Sequence, residues 1–143
     1  MTNFYANEKE IRDLVQSFRT KQLPEEKWTH EAHLTTGIWF LKNYNYHESI
    51  CYLRSGIIEY NASLGNKNTP SNGYHETITL FWMQIMATFI KAHPNKNLLA
   101  LCNAFLDSEF ADKQLFAQYY HLETLFSVKA RAVWVMPDKE QGC

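Results

Sequence analysis

The sequence predicts a single-domain, all-α protein, a bundle of five or six helices with an up-down core. Three observations predict it. Apolar residues recur at i, i+3, i+4 and i+7 through most of the chain, which is the period of a helix face. No run alternates apolar and polar residues as a half-buried strand does. A chain of 143 residues holds one core, and an apolar fraction of 45% with 15% aromatics supplies it. Residues 1–143 are therefore read as one helical domain.

The first helix carries Ile11, Leu14, Val15 and Phe18 on one face, and Pro24 closes it or opens the next segment. A second helix starts at Thr29, a good N-cap residue, with Leu34, Ile38 and Leu41 inward. Asn45 caps a third, whose stripe is Tyr46, Ile50, Leu53, Ile57, Tyr60 and Leu64. Gly65 ends it in the left-handed conformation that glycine adopts freely. Residues 65–73, Gly-Asn-Lys-Asn-Thr-Pro-Ser-Asn-Gly, are turn and cap chemistry throughout and form the main loop. A fourth helix buries Ile78, Phe81, Trp82, Ile85, Met86 and Phe89 and stops at His93-Pro94. Asn95 or Asn97 starts a fifth through Leu98, Leu99, Cys102, Phe105 and Leu106. A short helix is expected from Asp112 to about Tyr120, and a last turn from Ser127 before Pro137.

Charge excludes some functions. Fourteen basic residues face fifteen acidic ones without a basic stripe, so no nucleic-acid partner is expected. No segment has the unbroken apolar length that crosses a bilayer, so no membrane partner is expected. Met1-Thr2-Asn3-Phe4-Tyr5 lacks the charged and apolar regions of a signal peptide. The three cysteines, Cys51, Cys102 and Cys143, form no CxxC pair, and reduced thiols in a cytoplasmic protein are the expectation. Cys51 has no histidine placed to activate it as a nucleophile. Nothing in the spacing fixes an oligomeric state.

Two stretches carry more chemistry than a structural bundle needs: Trp28-Thr29-His30-Glu31-Ala32-His33-Leu34 and Gly73-Tyr74-His75-Glu76-Thr77. In each, imidazoles fall in the first turn of an expected helix. His30 and His33, three apart, project from one face and can hold one metal ion. The positive end of the helix dipole disfavours imidazolium and keeps the rings in the neutral form that binds metal or accepts a proton. An up-down-up order of helices two to four brings both helix starts to one end, so His75 joins His30 and His33. The same order sends His47 and His93 to the opposite end.

Three imidazoles with an open position suit zinc, iron, copper or nickel. Glu76 points about 100° away from its neighbour His75, so it is a general base on a bound water or a group that orients a ligand, rather than a ligand itself. Each assignment has a plainer competitor. A histidine at a helix start can be a surface or capping residue. Glu76 can be the acid of a capping box with Gly73 as N-cap, and Trp28 can be the first residue of a hydrophobic staple. Tyr74 can donate to a ligand or sit at the core edge, and Trp39 and Trp82 read as packing. His121 can add a fourth ligand or be core edge.

The two histidine stretches, with Asn68-Thr69-Pro70, Leu125-Phe126-Ser127-Val128-Lys129-Ala130-Arg131 and Pro137-Asp138, resemble a family of small bacterial proteins of unassigned function. The resemblance covers most of the chain from residue 28 and names no reaction. That family has a Ser-Arg pair where this chain has His121-Leu122, which argues against His121 as a general ligand. A looser likeness, of architecture alone, is to the DinB-type four-helix metal proteins, which use three histidines at another spacing.

Three functions are expected from these residues. The first is a metal-binding protein or metal-dependent enzyme built on His30, His33 and His75, with hydrolytic and oxygen-dependent chemistry both open. The second is a metal-free pocket in which the histidines hydrogen-bond a small ligand. The third is a helical module that associates through its aromatic residues.

Overall fold

The computed structural model describes residues 3–140, and those residues form seven α-helices joined by short turns, with no strand among them beyond an isolated Thr69–Asn72 bridge. The helices are α1 (Glu8–Arg19), α2 (His30–Asn43), α3 (Tyr46–Ser63), α4 (Glu76–Ala92), α5 (Leu98–Leu106), α6 (Leu122–Leu125) and α7 (Val128–Ala132). The protein is all-α. None of these helices is long and apolar enough to cross a membrane. Cys143 lies outside the described residues.

Side-chain caps define most helix starts. Thr29 Oγ1 accepts from the Ala32 amide at 3.1 Å, Asn97 Oδ1 from Ala100 at 2.9 Å and Ser127 Oγ from Ala130 at 3.1 Å. Asn45 completes a reciprocal capping box: its side chain accepts from the Glu48 amide at 2.8 Å, and the Glu48 carboxylate accepts from its backbone at 3.2 Å. Gly65, at φ +80°, turns the chain out of α3, and the next amide, that of Asn66, donates back to the Asn61 carbonyl at 2.9 Å.

Helix α2 is the centre of the molecule and packs against α1, α3, α4 and α5. Gly37 makes the α2–α4 approach close, because a Cβ there would stand 3.3 Å from the Met86 sulfur. One hydrophobic core runs from Ile11 on α1 through Ile38, Tyr60 and Met83 to Leu125 on α6. The termini are tied onto it. Tyr5 exchanges two backbone–amide bonds with Asn103 on α5, and the Tyr5 hydroxyl meets Thr35 Oγ1 at 2.8 Å. The segment after α7 is strapped over α4 and α6, with Thr77 Oγ1 donating to the Val133 carbonyl and Tyr120 donating to that of Val135.

Three expected boundaries need correction. Helix α4 begins two residues later than a Gly73 cap implies, since His75 is its N-cap. The stretch from Asp112 to Tyr120 makes only a 3-10 turn over Leu115–Gln118. The chain spends the rest of that stretch on backbone turns that bring Leu115 into the core. Helix α6 is an additional single turn, opened by His121 without a side-chain cap and held by Asp138, which accepts from the His121 amide at 2.8 Å.

Candidate functional site

The site grows from the entry into α2. Trp28 precedes the N-cap Thr29, and its ring lies 3.8 Å from that of His33, the fourth residue of α2. This is a hydrophobic staple in which an imidazole replaces the usual apolar partner. On its other face Trp28 stacks on Phe18 at 4.3 Å and 14°, so the indole is clamped between α1 and α2. His30, the first residue of α2, rests its ring 5.1 Å from that of Trp82 on α4.

The hydrogen bonds fix the chemistry of each ring. His33 Nδ1 lies 2.8 Å from the Thr29 carbonyl. A carbonyl only accepts, so Nδ1 carries the proton and Nε2 keeps its lone pair. His30 Nε2 lies 2.9 Å from the Ala111 carbonyl, so its proton is there and the Nδ1 lone pair is left over. His75 has both nitrogens engaged. Nε2–H donates to the Leu125 carbonyl at 2.7 Å, and Nδ1 accepts from the Ile78 amide at 3.1 Å as the α4 cap.

Burial disfavours the charged form of two of these rings, His33 and His75. Burial drives the His33 pKa down to about 4, and nearby His30 and Lys113 disfavour a further positive charge, against the opposing pull of the Thr29 carbonyl. Burial also lowers the pKa of His75, with Arg131 adding to the effect. Expected neutral imidazoles are thus what His33 and His75 present, through desolvation rather than the helix dipole alone.

A cavity of about 400 Å³ opens beside α2, lined by His30, His33, Lys113 and Thr79 among the apolar side chains of Trp28, Leu53, Ile57, Trp82, Met86, Phe116 and Phe126. A second cavity of about 290 Å³ adjoins it and is lined by His33, His75, Asn61, Asn66 and Asn72. Trp28, His33, Ile57, Ile78 and Thr79 belong to both walls. The up-down-up order therefore brings the starts of α2 and α4 to one place, with His33 as the residue common to the pairs His30–His33 and His33–His75. His47 and His93 lie apart from both cavities; His93 closes α4 by donating to the Phe89 carbonyl at 2.8 Å. His121 is exposed and lines neither.

The residues do not fit a three-histidine metal centre in this arrangement. The lone pair that His75 would give a metal is already spent on the Ile78 amide. Among the described residues no group of three or more His, Cys, Asp or Glu side chains is placed to hold a metal ion. His30 and His33 alone keep lone pairs.

Glu76 is held by partners that the sequence does not indicate. As the first residue of α4, not its third, it cannot act as the acid of a capping box. Its carboxylate takes Arg54 Nε at 2.9 Å and Nη2 at 2.6 Å, a bidentate pair between α3 and α4, and the Tyr74 hydroxyl at 2.6 Å. Burial would raise its pKa, but the bonds from Arg54 and Tyr74 outweigh that and hold it below the ordinary value, so it is a weak base. Burial, reinforced by Glu76, raises the Tyr74 hydroxyl and keeps it a donor.

Lys113, Phe116 and Phe126 carry no sequence signal, because turns bring them to the cavity from far along the chain; Asn61 lies near the end of α3, and Asn66 and Asn72 lie in the 65–73 loop, whose composition signals a turn and not a cavity wall. Cys102 is buried with its thiol pushed up to about 12, and Cys51 is exposed away from both cavities. Comparison with family models, curated proteins and solved structures finds no match, so the chain's own geometry is the ground for its function.

Proposed function

We propose that this protein binds a small, largely apolar organic ligand in the cavity beside α2, without a metal, and that neutral His33 reads a hydrogen-bond donor on it. The observation that carries the reading is the His33 ring: its proton is tied to Thr29, it stays neutral, and its Nε2 lone pair has no protein partner among the described residues. A cavity of about 400 Å³ falls in the range that small-molecule sites occupy, and its aromatic walls with few polar groups match their usual make-up. An imidazole acceptor in apolar surroundings rewards a ligand hydroxyl or N–H and penalises a ligand that brings another acceptor. His30 offers a second acceptor, and Lys113, which makes no ion pair among the described residues, offers a cation.

β-Naphthol has the required shape, an aromatic body with one donor. Calorimetric titration of the protein with β-naphthol in the presence of a chelator should give saturable one-to-one binding. Ile57→Trp, which fills the cavity, should abolish it, and His33→Phe should weaken it about tenfold, the net worth of one hydrogen bond. Binding that appears only when zinc or iron is added, and is lost on chelation, would instead support the metal-dependent reading.

A further inference from the structure

The two cavities beside α2 differ sharply in their walls, and the difference names a ligand class; this step rests on the proposed pocket. The larger cavity is aromatic and aliphatic apart from its two histidines, Thr79 and Lys113. The adjoining one carries Asn61, Asn66 and Asn72 with Tyr74, His75 and the backbone of Gly73, and no Asp, Glu, Lys or Arg. None of the three asparagine amides has a hydrogen-bonding partner among the described residues, whereas Asn7, Asn45, Asn68, Asn97 and Asn103 all spend theirs on backbone groups. Asn3 and Asn95 are likewise unpaired among the described residues but line neither cavity, so three of the five unspent amides meet at one cavity, on the end of α3 and the loop after it.

We infer that the ligand is a two-part amphiphile, with an apolar or aromatic body in the large cavity and an uncharged, hydroxyl-rich head among Asn61, Asn66 and Asn72. Each amide offers both donors and an acceptor, which suits hydroxyl groups that also do both. A charged head finds no counter-ion in that wall, whereas a hydroxyl-rich head finds a partner in each amide. His33 sits in the wall shared by the two cavities, where its lone pair accepts from a hydroxyl at the junction of head and body. The loop that supplies Asn72 is held in place by Gly73, whose φ of +96° and 2.8 Å virtual Cβ contact with the Asn68 Cα admit only glycine, and by the Tyr74 amide donating to Asn68 Oδ1 at 2.9 Å.

Three ligands with one body and different heads separate the possibilities: β-naphthol, β-naphthyl glucoside and β-naphthyl phosphate, each titrated calorimetrically into the protein. The glucoside should bind at least tenfold more tightly than β-naphthol, and the phosphate no more tightly than β-naphthol. The double variant Asn66→Ala, Asn72→Ala should erase the glucoside's advantage and leave β-naphthol affinity unchanged. Both substitutions are on exposed loop positions, and the unchanged β-naphthol titration doubles as the check that the variant is folded. A glucoside no tighter than β-naphthol, or an advantage that survives the double variant, overturns the inference and leaves the pocket standing. A phosphate that binds most tightly also overturns it, by directing the head toward Lys113. Failure of all three ligands to bind overturns the pocket itself.

Discussion

His33 is neutral because water has been taken from it, and that has a cost at low pH. Free imidazole titrates near 6.5, whereas folded His33 titrates near 4. Between those values the unfolded chain takes up a proton that the folded protein refuses, so stability falls as pH drops from 6.5 to about 4, and the full loss is present below that. His75 is shifted in the same direction. Because His33 keeps some contact with solvent through the cavity, the loss from this residue should be only ~1–2 kcal/mol. Thermal unfolding followed from neutral to acid pH should show a declining Tm, and His33→Phe should flatten the decline. An equal slope in the variant would show that the ring is not held neutral. Thr36 makes the opposite kind of prediction. Its hydroxyl is buried in α2 with no partner among the described residues, so Thr36→Val removes an unsatisfied group at nearly constant volume. Tm should hold or rise by up to a few degrees; a fall would reveal a partner for that oxygen.

Among single residues, the histidine types and their helix-start positions were readable in the sequence, and their partners were not. The ring that Trp28 covers, the carbonyl that holds His30 and the amide that occupies His75 belong to separations of 5, 81 and 3 residues, and only the local ones come from helix geometry.

At the scale of elements, the start of α4 is the sharpest case. A histidine is an unusual N-cap, and here it also fastens α6 to α4 through the Leu125 carbonyl. His75→Ala should lose both bonds and about 2 kcal/mol. His75→Asn keeps a cap acceptor and should recover about half of that, with faster hydrogen exchange at Ile78 only in the alanine variant. Recovery of nothing by asparagine would mean that the Leu125 bond carries the whole effect. The Arg54–Glu76 pair ties α3 to α4 beside this cap, with Arg54 partly exposed and Glu76 largely covered. Glu76→Gln should cost about 1 kcal/mol, and the difference from the parent should shrink in high salt. The caps at Thr29, Asn45, Asn97 and Ser127 were legible because cap chemistry is local. The partner of Glu76 was not legible because Arg54 lies on another helix, and the residues after Asp112 were misread because packing, not propensity, decides a stretch that short.

At the scale of the whole molecule, helical periodicity was enough to define the bundle, and an up-down-up order was enough to bring His30, His33 and His75 to one end. It was not enough to aim them. Aim depends on which lone pairs the backbone has already claimed, and that is visible only once α6 and the turn ending at Ala111 are in place. The two adjoining cavities arise in the same way, from α2 and α4 walled by segments that have no helical period of their own.

The central claim is that His33 and His30 hold open lone pairs over a cavity while His75 is committed to the fold. The nitrogen NMR spectrum of the histidine rings, recorded before and after addition of β-naphthol and, separately, of zinc, tests it directly. β-Naphthol should move the acceptor nitrogen of His33, and His75 should remain a fixed Nε2–H tautomer in both titrations. A zinc titration that moves all three rings together at one equivalent would contradict the claim and restore the three-histidine metal centre.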